Sequence, residues 1–284
     1  MTKKTLYKII AAFLVVSAMA AAACGSAPQS ETGTRMGQSK SENQGLPSGY
    51  ALRDISVSVP LTGRSAKPQL DIFLTLLAVK EPAPAARFLR ELLYSGSDAE
   101  QYQNGLITEY RNLYQQNPPL EITDSVPSAD WEYQEVIVVH GMGKHGLVLG
   151  KEKDIYTGGA HGMHSKIYYV IDREELKLLK LSDFFGETNE AELRGLVMEE
   201  LRRYSRLEAG QPLSKGIFFE DEPEMSSNFF VTGEGLGLHW DQYEIAPYSE
   251  GYIEIILPWK TVRPLLKQEI MERLTKFGIY LFVS

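Results

Sequence analysis

Cysteine is nearly absent: Cys24 is the only one in 284 residues. No intrachain disulfide can form, so the fold must rest on its apolar core. Positive charge is in deficit as well, with 29 Lys plus Arg against 37 Asp plus Glu and a net charge of −8. Such a chain is repelled by phosphate and anionic headgroups and carries no basic stripe, so nucleic acid is not an expected partner. No G-x-S-x-G elbow and no H-E-x-x-H occurs, which removes the usual frames of a serine hydrolase and a zinc protease. Lys144 is followed by His145 and not by Ser or Thr, which excludes a Walker-type phosphate loop. There is no internal repeat. The apolar run from Ile9 to Ala23 falls short of the ~20 residues that span a bilayer.

That run is informative in another way. It follows Lys3, Lys4 and Lys8 and ends in Ala21, Ala22 and Ala23 directly before Cys24, the pattern of a cleaved secretory signal. It resembles a bacterial lipoprotein signal, which implies that Cys24 takes a diacylglycerol and becomes an acylated amino terminus after residues 1–23 are removed. The resemblance departs at Ala21, where such signals more often carry leucine. Cleavage takes Lys plus Arg from 29 to 26 against 37 acids, leaving the mature chain near −11. Residues 24–49 are rich in Gly, Ser, Pro, Gln, Asn and Thr and cannot bury enough surface to offset their ordering entropy. They read as a flexible tether whose ends lie roughly 25–30 Å apart. Gly25 is not the aspartate that retains many lipoproteins at the inner membrane. The expected place is therefore the cell envelope, extracytoplasmic, and the outer membrane if the cell has one.

The remainder reads as α+β, a curved antiparallel sheet packed with about three helices, in two parts: a partner subdomain over residues 50–130 and a second over 131–284. Ile55, Val57 and Val59 alternate with polar residues, and Ile72 to Val79 is apolar, so two strands open the fold. Ser97 with Glu100 predicts a capping box before a helix whose buried face carries Tyr102, Leu106, Tyr110 and Leu113. Strands follow around Trp131 to Val139, Leu147 to Ile155 and Ile167 to Ile171, in an antiparallel meander. A second helix is predicted behind Asn189 and Glu192, and a third from near Pro264 to Gly278. Phe229 to Val231, Tyr252 to Leu257 and Ile279 to Val283 read as further strands. Without βαβ alternation, a doubly wound sheet is not expected.

Several glycine and histidine patterns look chemical. Gly141, Gly143 and Gly146 match the letters of a dinucleotide loop, but Leu147-Val148-Leu149 continues as a strand and not as a helix, so a hairpin is expected. Gly233, Gly235 and Gly237 read as a turn or bulge. His161 and His164, with His140 and His145 across the sheet, lack a third marked ligand, and neither a metal nor a cofactor is expected. Glu199 and Glu200 are adjacent on a helix and read as solvent-exposed. The segment Thr157-Gly158-Gly159-Ala160-His161-Gly162 is more specific. Its glycines permit positive φ or close approach, and His161 is its one titratable side chain. Two roles stay open: a tight structural loop whose histidine caps a carbonyl, or a recognition loop.

YTGGAHG at Tyr156 to Gly162, YYVID at Tyr168 to Asp172, LKLSDFF at Leu179 to Phe185, and YEIAPYSEG at Tyr243 to Gly251 before Leu257-Pro258-Trp259 occur in one order. Together they resemble the bacterial extracytoplasmic domain of unknown function 3298, usually preceded by a small partner domain, as in RsiV-type anti-sigma factors and PdaC-type peptidoglycan deacetylases. The match spans roughly Ala51 to Phe277. It implies an α+β fold with a curved antiparallel sheet and, in the RsiV-type members, lysozyme binding. This sequence shows neither a cytoplasmic sigma-binding domain nor a metal-bearing deacetylase domain, so the expectation is the accessory module alone on a lipid tether. The expected ligand, lysozyme or a peptidoglycan component, would meet Gly158, Gly159, Ala160, His161, Gly162, Asp183, Tyr243 and Tyr248. The alternative is a cell-wall hydrolase with His161 as general base and Asp183 orienting it, although Asp183 also reads as a helix cap or turn residue.

Overall fold

A computed structural model of the chain describes residues 46, 48–62, 68–80, 82–117, 129–277 and 280–281. The signal 1–23, Cys24, nearly all of the tether, Gly278 and Ile279 lie outside the described residues. In order, the elements are β1 (Tyr50–Pro60), β2 (Gln69–Val79), α1 (Ala83–Tyr94), α2 (Ala99–Gln116), β3 (Trp131–Met142), β4 (Gly146–Tyr156), β5 (Met163–Asp172), β6 (Lys177–Leu178), α3 (Glu190–Tyr204), β7 (Phe229–Val231), β8 (Gly235–Trp240), β9 (Ile253–Pro258), α4 (Gln268–Phe277) and β10 (Tyr280–Leu281). The fold is α+β, with a larger sheet in the order β1-β2-β3-β4-β5-β6, β10 pairing with β3, and a separate sheet β7-β8-β9.

β3, β4 and β5 form the expected antiparallel meander, but the larger sheet is not antiparallel throughout. β2 and β3 run parallel, Leu70 opposite Trp131 through Thr75 opposite Val136. Parallel neighbours need a long crossover, and α1 with α2 supplies it. The larger sheet is therefore continuous across residues 130 and 131. Between β3 and β4 the register slips from Val139 to Gly141, so His140 sits in a bulge. A bulge bends its strand and increases the local twist.

Period-two alternation divides the larger sheet between two cores. Leu147, Leu149 and Ile171 face α1 and α2, where they join Leu70, Ile72, Leu74, Leu89, Leu106 and Tyr110. Val148, Tyr168 and Val170 face the other way and pack with the smaller sheet and with Leu193, Val197 and Leu201 of α3. Strands covered on both faces read as near-continuous apolar runs.

Several local expectations shift by a few residues. The capping box before α2 is Asp98 with Gln101, each side chain accepting from the other's backbone N–H, and not Ser97 with Glu100. Asn189 gives α3 no cap; its amide donates to Leu265 O instead. Pro264 lies in a helical turn, Arg263–Leu265, and α4 begins at Gln268. The largest correction is β8. Gly235 and Gly237 are not turn residues but strand residues with no room for a side chain: a Cβ at 237 would lie 2.1 Å from the Phe230 ring, and one at 235 would lie 2.1 Å from Leu257 O. Gly141 to Gly146, by contrast, is the expected hairpin, closed by Gly143 N–H donating to Gly146 O.

Candidate functional site

The GGAHG segment is the connection between β4 and β5, projecting beyond the pair Ile155 and Met163. Gly158 and Gly159 have φ of 83° and 115°. A side chain at 159 would meet nothing within 4 Å, so the backbone conformation and not space calls for glycine there. Gly162 answers a different need, since a Cβ there would come within 3.0 Å of Ile155 O. Tyr156 Oη donates to Gly159 O at 3.1 Å and ties the loop back to β4.

His161 answers to both readings of this loop. Its Nδ1 lies 3.1 Å from Gly162 O, a backbone contact. Its ring stacks on Tyr248, with centroids 4.0 Å apart and planes at 26°. Tyr248 Oη donates to the same Gly162 O at 3.1 Å, and the Tyr248 ring lies 5.6 Å from that of Tyr243. Tyr243 is 42% exposed and has φ of 66°. A bulky residue in the left-handed region stores strain, and such strain clusters at functional sites. A second aromatic pair continues this face: His164 lies 5.6 Å from Tyr252, itself 44% exposed. His164 Nδ1 is 2.9 Å from Asp154 Oδ1, and that hydrogen bond, outweighing partial burial, raises the imidazole above its ordinary value.

The structure thus brings together Gly158, Gly159, Ala160, His161, Gly162, Tyr243 and Tyr248. Asp183 is not among them. It sits beyond the far end of β5, about 30 Å of strand away from the loop. There it accepts from Lys180 N–H at 2.7 Å and Lys177 Nζ at 2.9 Å. Slight burial is outweighed by these donors, which hold its carboxyl below the usual range. Asp183 is the third residue of a short helix, Leu181–Phe184, whose start its side chain caps, and it does not orient His161. The other histidines lie away from the glycine loop: His145 lies against Glu174 at the opposite hairpin, and His140 packs on Tyr168. Among the described residues no three His, Cys, Asp or Glu side chains are grouped to hold a metal. Glu199 and Glu200 are half-buried on α3 and pair with Arg202 and Arg203.

Two features escaped the motif search. From residue 216 to 259 the chain contains nine Asp or Glu and no Lys or Arg, a charge asymmetry visible in the sequence once it is counted by segment. Beneath the aromatic face lies a buried ionic cluster. His239, fully buried, has Nδ1 2.9 Å from Glu254 Oε1 and Nε2 2.8 Å from Asp241 Oδ1. Glu254 also accepts from Tyr168 Oη at 2.8 Å and lies 3.6 Å from Lys166 Nζ, which pairs with Glu152 at 2.9 Å.

Residues 182–260 match the model of the family described as Protein of unknown function (DUF3298). That stretch holds Tyr243, Tyr248, His239 and the acidic run, and it stops short of the glycine loop. Two crystal structures of DUF3298 family proteins share the fold. One, from Bacteroides fragilis NCTC 9343, superposes with a TM-score of 0.67 at 20% identity, over 81% of this chain and 96% of that one. The other, from Pseudomonas aeruginosa PAO1, gives 0.57 at 16%, over 78% and 95%. No curated protein matches the chain. The family resemblance read from the sequence agrees with this match over its later motifs, Ser182 to Phe185 and Tyr243 to Trp259, and with the fold.

Proposed function

We propose that the protein is a lipid-anchored, extracytoplasmic binding module that takes a cationic wall-acting protein of the lysozyme kind on its aromatic face. The observation that carries this is the stack His161–Tyr248–Tyr243, whose tyrosines lie in the β8–β9 connection within an acidic segment that has no Lys or Arg. Tyrosine supplies large, rigid contact area at low entropic cost, and its cationic partners gain from ring faces as well as from carboxylates. Glu244 and Glu250 are exposed beside these rings, and no Lys or Arg from the 216–259 segment opposes them. Complementary charge raises the association rate and suppresses partners of the wrong sign. Among the described residues no helix is long and apolar enough to cross a membrane; attachment through Cys24 is the proposed tether.

A second reading rests on the same rings. An exposed, nearly parallel aromatic pair also suits the apolar face of a sugar, which makes peptidoglycan the alternative ligand. Full-length protein in mild detergent, immobilised and exposed to lysozyme and to purified peptidoglycan, decides between them. Lysozyme should be retained at low salt and released as screening shortens to ~3 Å near 1 M, and Tyr248→Ala should lose that retention. Retention of peptidoglycan alone would favour the sugar reading, and retention of neither would remove both. For the anchor, Cys24→Ser should abolish fatty-acid labelling; a variant that is still labelled and processed to the same mass would refute it.

A further inference from the structure

The cluster beneath the aromatic face carries an inference that rests on the recognition reading and concerns how that face is held. Both ring nitrogens of His239 contact carboxylate oxygens, at 2.9 and 2.8 Å. A neutral imidazole has one N–H, and ionised carboxylates only accept, so two such contacts require two ring protons. The acceptors are committed in the same sense: Asp241 Oδ1 also accepts from Lys166 N–H at 2.8 Å, and Glu254 Oε1 from Tyr168 Oη. We propose that His239 is the positioning residue of the binding face, an imidazolium that clamps Asp241 and Glu254 and thereby holds the segment bearing Tyr243 and Tyr248 against the glycine loop.

The mechanical connection is short. Asp241 opens the turn that contains Tyr243: its N–H donates to Glu244 Oε2 at 2.7 Å, and Glu244 N–H donates back to Asp241 O. Gln242 Oε1 accepts from His164 N–H at 3.2 Å, which docks the turn on the first residues of β5. Four residues further, Tyr248 reaches Gly162 O and the His161 ring. On the other side Glu254 holds β9 to Tyr168 and Lys166 of β5, so one imidazolium joins the smaller sheet to the larger at two points.

β7 and the residues before it meet His239 and Tyr168 only through Phe230, Asn228 and Ser226, and the titratable and charged groups come from the other elements. β9 and its approach give Glu254 and Tyr252; β5 gives Lys166, Tyr168 and His164; β4 gives Glu152 and Asp154; the bulge of β3 gives His140; the turn gives Asp241 and Glu244. Of the carboxylates in this set, Asp241 and Glu254 touch the ring directly. Burial works to lower the His239 value, but its hydrogen bonds to Asp241 and Glu254 outweigh burial and raise it. Glu254 is the mirror case: burial works to raise it, and His239, Lys166 and Tyr168 bring it below its ordinary value. As pH rises through the elevated His239 value, one of the two contacts must lose its proton, and the turn is released.

The test needs no ligand, so it stands apart from the recognition experiment. Histidine-labelled full-length protein in mild detergent is titrated by nitrogen NMR, and amide exchange of the Tyr243–Tyr248 segment, corrected for intrinsic rate, is followed over the same range. His239 should keep both ring protons above its ordinary value of about 6.5. Exchange at Tyr243–Tyr248 should then rise on the order of tenfold as the ring loses its proton. His239→Gln, which can serve only one carboxylate, should show fast exchange at every pH. Asp241→Asn, at a less buried position, should keep the fold and move the midpoint down. A single ring proton on His239 at about pH 6, or Tyr243–Tyr248 exchange indifferent to Asp241→Asn, would overturn the proposal. If His239→Gln does not fold, the wild-type titration and Asp241→Asn still decide it.

Discussion

Glu135 on β3 of the larger sheet and His239 on β8 of the smaller one are each fully buried, and each is the centre of an ionic cluster. Glu135 accepts from Tyr102 Oη at 2.9 Å and Tyr133 Oη at 2.7 Å, and lies 3.1 Å from Lys151 Nζ and 3.6 Å from Lys153 Nζ. Lys151 Nζ also donates to Leu93 O at 2.7 Å, so this cluster ties β3 and β4 to the end of α1. Burial pulls the Lys151 ammonium below the usual lysine range while Glu135 works against that pull. The cluster contains no histidine, and its central pair, Glu135 and Lys151, is buried. The His239 cluster also joins carboxylates, a tyrosine and an ammonium, that of Lys166, but it adds an imidazole between two carboxylates and continues through Asp241 to exposed rings. The difference teaches that an ionic pair buried under helices serves register, whereas the same device placed at a sheet-to-sheet joint and built on histidine can transmit a charge state to a surface.

The contrast is broken most severely at Glu135. Glu135→Ala leaves the Lys151 ammonium buried without its carboxylate and should cost about 3–5 kcal/mol in denaturant unfolding. Replacing both partners together, Glu135→Leu with Lys151→Met, should cost less than the single change, because no unpaired charge remains. A double variant worse than the single one would show that the pair contributes more than it costs to bury.

A smaller effect sharpens the other side. His239 is raised in the folded state, so its contribution is fully present below about pH 6.5 and is lost as pH rises through the folded value. His164 acts in the same direction. His140 is opposite: burial, aided by Lys166, lowers it, so its contribution is present above its ordinary value and is lost as pH falls. Unfolding measured across this range should show a decline toward alkaline pH that His239→Gln reduces to the share of His164 and that Glu135→Gln leaves in place. A decline undiminished by His239→Gln would assign it elsewhere.

The smallest expected change in stability is at the loop itself. His161→Ala should stay within about 1 kcal/mol of wild type, the range of exposed substitutions, while weakening retention of lysozyme. A large loss of stability with retention intact would return His161 to its carbonyl contact with Gly162 as its whole role. Gly159→Val sharpens this further, since a β-branched residue at φ of 115° strains the loop backbone.

The chain itself made much of this legible. Alternation in Ile55 to Val59 and in Trp131 to Val139 marked strands, and the spacing of Tyr102, Leu106 and Tyr110 marked a helix face. These are local signals, written in periodicities of 2 and 3.6 that survive without knowing any partner. The glycine loop was legible for the same reason, because Gly158 and Gly159 advertise backbone conformations that few other residues adopt. β8 was hidden, since its glycines signal a turn locally and are explained only by the Phe230 ring and Leu257 carbonyl that lie over them.

What only the tertiary structure decided is which distant residues meet. Asp183 and Tyr248 looked equivalent as candidates beside His161, 22 residues after it and 87 residues after it. The sheet carries Asp183 the length of β5 away and folds Tyr248 back onto the loop. His239 drew no attention as a lone histidine between Leu238 and Trp240. Its meaning lies in Glu254, placed opposite by the β8–β9 register, and in Asp241, placed by the turn. Periodicity, charge and glycine are properties of neighbours along the chain, and the sequence alone determined them. A clamp between two sheets depends on strand register and long-range packing, and those exist only once the chain has closed on itself.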